Sequence, residues 1–346
     1  MDRCPIEIWN QISAHACTDN GYTGRSLSLV SRYIHETLKS AKFQSLSLTK
    51  PKQIHGLARL IADTRPKYRQ VRYLFIASPC MCEDESDDGG VHPAEGEGST
   101  TNAAKSTARC MTEKDCRNVL AAFLRIIEVI APTLTILHVH FPFVRKSLFL
   151  PTSTTFPTLI ELTLCGPYTD YDDRSTTTSE QDVNESPSLS DHPPPFPSLR
   201  RLHLADCDRD LTGCFGRIAS VAPSLTHLCL PYQSSLTDSF LAGLGARAIS
   251  YATPSSDSYG VKVGTLPLTI EMVLIDPGPP PAPFSWCGTG LMRRYTDIQN
   301  FKEVMKEDNR VFMLTERLNG MKDMEWYWLD RIEGGEGSWV VPHDTQ

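Results

Sequence analysis

His138 and His140 could form part of a metal site, because zinc is commonly bound by histidines that project from one face of an element. They are two residues apart in a segment that we predict as a strand, where such side chains share a face. A second candidate group contains four cysteines: Cys80, Cys82, Cys110 and Cys116. Neither group has a carboxylate or a second close cysteine pair at matching spacing, so we expect no bound metal and no cofactor.

The sequence lacks the common catalytic motifs. It contains no Gly-x-Ser-x-Gly turn, no phosphate-binding loop and no Gly-x-Gly-x-x-Gly after a predicted strand. The glycines at 334, 335 and 337 follow a predicted helix and do not precede one, which does not suit a phosphate cradle. A hydrolase that uses a Cys/His pair is an alternative, but no sequence pattern places a base beside a nucleophile. We therefore expect a non-enzymatic protein without catalytic residues.

Composition favours a folded protein of the cytoplasm or nucleus. The chain has 346 residues, of which 40% are hydrophobic, enough for one large or two ordinary domains. Its 11 cysteines are odd in number and scattered, which favours reduced thiols. The first residues lack the apolar run of a signal peptide, and Leu120–Ile130 is too short and too charged to cross a membrane. We expect no membrane contact.

Charge is distributed unevenly along the chain. The net charge is −7, but acidic residues are concentrated in residues 83–97 and 170–191. We predict that residues 83–105 and 169–195 form acidic disordered loops. The rest of the chain is mildly basic, without a dense Lys/Arg stripe interleaved with aromatic residues, so we expect no nucleic-acid binding.

A short pattern recurs four times: Pro-Ser/Thr-Leu, then apolar residues three and five positions after the leucine. Its prolines stand at positions 132, 157, 197 and 223, at intervals of 25, 40 and 26 residues. An insertion of about 15 residues into one unit explains the long interval. Weaker copies keep only the apolar residues: Phe43/Leu46/Leu48, Val71/Leu74/Ile76 and Ile270/Val273/Ile275.

Each copy predicts a short strand, entered by a turn at the proline and followed by a return segment. Helical spacing of apolar residues predicts helices at 115–131, 215–221, 296–306 and 321–332, and another that opens at Thr237. The expected fold is α/β: a degenerate leucine-rich-repeat solenoid over residues 46–283, with a stiff proline-rich linker at 276–283. Residues 284–346 are expected to form a helical cap, in which Trp326, Trp328 and Trp339 close the end of the array.

The concave strand surface of a solenoid is its usual binding face. Positions two, four and six after the leading leucine point to that surface if positions three and five point inward. The predicted target-binding residues are therefore Tyr73, Phe75, His138, His140, Glu161, Arg201, His203 and His227. The alternative is that they are ordinary solvated strand residues.

The N-terminal segment predicts a small helical module over residues 1–45. Pro5 suits the first turn of a helix, and Ile8, Trp9 and Ile12 follow on one face. A second helix carries Leu27, Val30, Ile34 and Leu38 on one face. Because so few apolar residues bury little surface, the module must dock on the rest of the chain or on a partner.

This segment resembles the F-box family. Cys4-Pro5-Ile6-Glu7-Ile8-Trp9-Asn10-Gln11-Ile12 resembles the family's Leu-Pro-x-Glu-Leu-x-x-x-Ile opening. Residues 27–35 resemble its Leu-x-x-Val-Cys-Arg-x-Trp stretch, and residues 43–48 its closing strand. The whole chain is similar to fungal F-box-like proteins with leucine-rich repeats. It departs from the pattern at Cys4, at Tyr33-Ile34 and at Phe43, where the family has leucine, tryptophan and tryptophan.

The resemblance implies a substrate-receptor subunit of a cullin-RING ubiquitin ligase. The helical module would bind the Skp adaptor, and the repeats would bind an unknown protein target. The implied adaptor-binding residues are Pro5, Ile6, Ile8, Trp9, Ile12, Leu27, Val30 and Ile34. Three alternatives remain: an interaction scaffold with no link to ubiquitin, a divergent enzyme, or N-terminal helices that serve only as core.

Overall fold

The computed structural model describes residues 4–78, 111–142, 154–166, 193–205, 214–232, 265–278, 288–315 and 321–341. The predicted acidic loop at 83–105, residues 169–192 of the predicted acidic loop at 169–195, the linker residues 279–283 and the predicted helix at Thr237 lie outside these residues. Within them, eight parallel strands form one sheet, and the strands follow one another in chain order. The strands are β1 (Ser45–Leu48), β2 (Tyr73–Ala77), β3 (Ile136–His140), β4 (Glu161–Cys165), β5 (Arg201–Ala205), β6 (His227–Pro231), β7 (Met272–Asp276) and β8 (Val311–Met313).

Helices lie before, between and after the strands. In the part of the chain that is described they are α1 (Ile6–Ala16), α2 (Tyr22–Ser28), α3 (Arg32–Thr37), α4 (Pro51–Asp63), α5 (Glu113–Ile130), α6 (Cys214–Val221), α7 (Gly288–Glu307) and α8 (Met321–Glu333). Short 3₁₀ turns occur at Pro66–Tyr68, Ala131–Thr133 and Gly337–Trp339. None of the helices in the described ranges has the length and apolarity needed to cross a membrane.

This arrangement corrects the predicted fold. A helical F-box-like module, a leucine-rich-repeat solenoid and a helical end cap were expected, whereas the structure is an α/β fold built on one all-parallel sheet with helices. The C-terminal helix does not close the end of an array. Its Met324 and Trp328 pack on a face of the sheet, against Phe75 and Ile136 among others. The physical reason is that both faces carry large apolar side chains, and parallel sheets are generally covered on both sides.

Local elements were predicted better than their arrangement. The four Pro-Ser/Thr-Leu copies become β3, β4, β5 and β6, and the weaker copies become β1, β2 and β7. The predicted second helix is instead two helices, α2 and α3. Ser31 interrupts it with an extended backbone, and its hydroxyl accepts a hydrogen bond from the Ile34 N–H as an N-cap.

The serine or threonine of the repeated motif ties several of the units to the unit before them. The Thr158 hydroxyl donates to the carbonyl oxygens of Leu134 and Pro132 at 2.8 and 3.1 Å. Equivalent bonds run from Thr133 to Val71, from Ser198 to Pro157 and from Thr269 to Leu225. These bonds give the turn carbonyls a hydroxyl donor, which explains the serine or threonine at these positions.

The backbone repeats a matching contact at the start of strands β2 to β7. The Arg72 carbonyl accepts hydrogen bonds from two successive N–H groups of the next unit, Thr135 and Ile136, at 2.7 and 3.1 Å. The carbonyls of Gln44, Thr135, Ile160, Arg200 and Thr226 accept in the same way. This contact sets a constant register, so that the position of Leu74 aligns with Leu137 and then with Leu162 across neighbouring strands.

The larger core lies on one face of the sheet. Aligned leucine, isoleucine and valine side chains of the strands pack against apolar side chains of α4, α5, α6 and α7, such as Ile54, Phe123, Ile218 and Phe301. Phe123 and Phe141 meet edge to face with ring centroids 5.3 Å apart. Helix α5 begins at Thr112, whose hydroxyl accepts from the Asp115 N–H as part of a capping box.

Replacing Thr158 by valine should lower the free energy of unfolding by about 1–2 kcal/mol, because two carbonyls lose their hydroxyl donor. Urea unfolding followed by circular dichroism measures this. Thr158→Ser is the matched control, since it keeps the hydroxyl and should stay closer to wild type. Equal loss in the two variants would show that the methyl group, and not the hydrogen bonds, stabilises the turn.

Candidate functional site

The N-terminal helices are fixed to the sheet at β1. The Gln44 side chain donates to the Ala14 carbonyl at 2.8 Å, and the Ser47 N–H donates to the Asn20 carbonyl at 3.3 Å. Gly24 lies so close to the chain that an added Cβ would stand 2.7 Å from the Lys42 carbonyl oxygen. Helices α1–α3 therefore have a defined position against the first strand.

Several large apolar side chains of these helices face solvent. Five of them are 42 to 78% exposed and are called here the N-terminal apolar set: Ile6, Ile8, Ile12, Leu29 and Val30. Ile8 and Ile12 are four residues apart and so lie on one side of α1. Leu29 was not singled out in the sequence. It lies just after α2, in the break between α2 and α3. Because that break was not predicted, the exposure of Leu29 was not predicted either.

The other implied adaptor-binding residues differ in exposure. Pro5 is exposed, whereas Trp9 and Leu27 are half-buried. Ile34 is only 1% exposed. Its implied contact with an adaptor therefore needs correction, because its side chain points into the interior of the chain.

The predicted target-binding residues are brought together on the second face of the sheet. We call this surface the histidine face. It consists of two aligned rows, Tyr73, Ile136, Glu161, Arg201 and His227, and Phe75, His138, Thr163, His203 and Cys229, together with His140 at the end of β3. Phe75, His138, Glu161 and His203 are buried, and Tyr73, His140, Arg201 and His227 are half-buried.

The chain's own C-terminus covers this face, contrary to the expectation of an open binding surface. We call residues 321–341 the C-terminal layer. It comprises α8 and the 3₁₀ turn Gly337–Trp339. Trp328 packs against Phe75 at a ring-centroid distance of 5.7 Å, and Trp339 approaches His203 and His227 at 6.1 Å each. The third tryptophan, Trp326, is 62% exposed.

Glu161 is the electrostatic centre of the contact. The residue is 4% exposed, and its carboxylate accepts hydrogen bonds from Arg331 Nε at 2.8 Å and from Trp339 Nε1 at 3.0 Å. On the neighbouring strand, Arg201 lies 4.0 Å from Glu161 and 3.6 Å from Glu336. The Arg201 guanidinium also lies over the Trp339 ring at 5.8 Å. Arg331 and Trp339 complete the site, and no local pattern in the sequence connects them with Glu161.

His138 packs against an aromatic ring and a thiol. Its ring stacks on Phe75 with centroids 4.7 Å apart, and its Nε2 is 3.8 Å from Cys165 Sγ. Burial holds the pKa of His138 well below its usual value, and the neighbouring His203 and His140 lower it further. Burial, together with the positive charge of Arg201, also lowers the pKa of His227, although Glu271, Glu336 and Glu161 partly oppose this.

A small cavity lies between the histidine face and the C-terminal layer. Its volume is about 30 Å³, and His138, Glu161, His203 and Trp328 are among its walls. That space holds one or two water molecules and is far smaller than ordinary ligand pockets. Among the described residues, no group of three or more His, Cys, Asp or Glu side chains could hold a metal ion. Cys80, Cys82 and Cys110 lie outside that part of the chain.

Comparison with known proteins found no match among family models, curated proteins or solved structures. Two surfaces of the structure bear on the function. One is the exposed N-terminal apolar set, and the other is the covered histidine face.

Replacing Glu161 by glutamine should lower the free energy of unfolding by about 2–3 kcal/mol, because Arg331 and Arg201 lose a buried counter-charge but keep some contact with water. Urea unfolding measures the loss. Glu336→Gln is the matched control: Glu336 also faces Arg201, but its side chain is 62% exposed, so the cost should stay below about 1 kcal/mol. Similar losses in both variants would contradict a central role for Glu161.

The free energy of unfolding should fall as the pH is lowered from 7.5 to 5. His138 and His227 have lowered pKa values in the folded chain, so the unfolded chain takes up their protons first, below about pH 6.5. The buried His138 can contribute a slope of up to about 1.4 kcal/mol per pH unit, and the partly exposed His227 contributes less because water screens its charge. Urea unfolding of His138→Leu across this range should give a smaller slope than that of the wild type. An unchanged slope in His138→Leu would contradict this explanation.

Proposed function

We propose that the chain is a non-enzymatic adaptor that binds the Skp adaptor of a cullin-RING ubiquitin ligase through α1–α3. The observation that carries the proposal is the exposure of the N-terminal apolar set on helices that are otherwise anchored to the sheet. Exposed apolar clusters of this kind commonly mark protein-binding sites. The resemblance of residues 4–48 to the F-box sequence supports the identity of the partner.

The positions implied by the resemblance have the exposure that a contact requires, with one exception. Ile6, Ile8, Ile12 and Val30 are exposed, and Trp9 and Leu27 are partly so. Ile34 is left out of the proposed surface because it is buried. In this role the chain would present a protein target, catalysis would belong to other subunits, and the complex would work in the cytoplasm or nucleus.

A protein-interaction scaffold without a link to ubiquitin is the second candidate. It is favoured by an internal contact between two positions at which the chain departs from the F-box pattern. The Tyr33 hydroxyl donates to the Cys4 carbonyl at 3.1 Å, so both residues take part in packing α1 against α3. A surface that departs from the F-box pattern at these two positions would suit a different partner.

Binding to the purified Skp adaptor distinguishes the two candidates. The side chains of Ile8 and Val30 are already about half covered, so burying either one contributes only roughly 1 kcal/mol, and a single substitution is a weak test. Ile8→Asp combined with Val30→Asp should reduce binding at least about tenfold, because two charges would be forced into an apolar contact.

Leu60→Asp is the matched control, since Leu60 is an equally exposed apolar residue on α4. It should bind like wild type in the same pull-down and titration. If wild type does not retain the Skp adaptor, or the double variant binds as well as wild type, the ligase role is wrong and the scaffold candidate replaces it.

A further inference from the structure

The two faces of the sheet are covered in different ways. On the larger core face, apolar side chains meet apolar side chains of four helices. On the histidine face, one helix and one turn cover a mixture of aromatic, histidine and charged residues. The C-terminal layer is thus a different kind of cover from the rest of the helices.

The fit of this layer is imperfect at its centre. The Trp328 side chain is 2% exposed, and its Nε1 has no hydrogen-bond partner within the described residues. Beside it lies the cavity of about 30 Å³ lined by polar groups of the sheet, among them His138 and Thr163. The layer and the sheet therefore do not pack directly on one another at this point, and the polar groups around the cavity face a water-sized space.

The layer is anchored by a short recognition pattern. Met324, Trp328 and Arg331 follow one another at four and three residues, so all three lie on the side of α8 that meets the sheet. Met324 contacts Cys165, with Sδ and Sγ 3.6 Å apart, Trp328 packs on Phe75, and Arg331 pairs with Glu161. This is how an amphipathic helix is recognised in a groove, by apolar anchors and one fixed charge.

We propose that the histidine face is the binding site for an amphipathic helix of a protein target, and that the C-terminal layer occupies this site when no target is bound. The target helix carries a methionine or other apolar residue, an aromatic residue four positions later and an arginine three positions after that. This inference rests on the proposed function, because it concerns the target that the adaptor would present. The tethered layer competes at high local concentration, which excludes weakly matching helices.

The test uses the full chain and a labelled synthetic peptide of residues 321–341. In the Arg331→Ala chain, the layer in cis loses its ion pair with Glu161, while the wild-type peptide supplies the arginine in trans. Fluorescence anisotropy should show binding at least about tenfold tighter to this variant than to wild type. Lys322→Ala, an exposed change on the same helix, should behave like wild type.

Peptide variants test the recognition pattern itself. Peptides with Trp328→Ala or Arg331→Ala should bind the Arg331→Ala chain at least about tenfold more weakly than the wild-type peptide. Equal binding by all peptides, or no gain in the Arg331→Ala chain, would overturn the proposal. A dimeric Arg331→Ala chain on size-exclusion chromatography would also overturn it, because the face would then accept a second copy of the chain.

Hydrogen exchange on the unmodified chain is a second test that does not depend on a variant folding. Amides of α8 should exchange at least about tenfold faster than interior amides of α5, because the layer opens without global unfolding. Equal protection of α8 and α5 would overturn the proposal. These results are independent of the Skp adaptor: peptide binding without adaptor binding would reject the ligase role alone, and the reverse would reject the helix-binding face alone.

Discussion

The structure depends on one constraint, which is that a sheet of parallel strands must be covered on both faces. Every strand has to be followed by a return across the sheet, and these returns place α4, α5, α6 and α7 on one side. The other side is covered by the segment that follows the last strand. The C-terminal layer is therefore required by the sheet itself, since Phe75, Ile136 and Leu274 would otherwise remain in water.

When this second face is covered, its polar residues lose contact with water and need hydrogen-bond partners within the protein. Glu161 sits in a row between Ile136 and Arg201, and once α8 lies over it, the carboxylate needs donors that the strand cannot supply. Arg331 and Trp339 provide them. A buried ion pair of this type adds little net stability but strongly penalises a mismatched partner, so it serves selection better than it serves stability. That property suits a surface that must distinguish one helix from another.

The sequence predicts what local patterning controls. The motif at Pro157-Thr158-Leu159 identifies β4, because its proline, hydroxyl and leucine each meet a local requirement of the turn before the strand. β8 lacks the motif and was missed. The covered histidine face could not be predicted, since the contact between Glu161 and Trp339 joins residues 178 positions apart and leaves no periodicity in the sequence. Alternation identified which strand residues share that face, but not what lies upon it.

The two candidate surfaces differ in the way that an adaptor would require. The N-terminal apolar set is exposed on helices held by β1, so it is available whether or not the other face is occupied. The histidine face is covered by the chain itself, with a water-sized polar cavity beside Trp328. Ser47 on β1 donates to Glu325 of α8 at 2.5 Å, so the strand that carries the N-terminal helices also touches the C-terminal layer. The proposed adaptor, which would be recruited constantly but would open only for a matching helix, needs one surface of each kind.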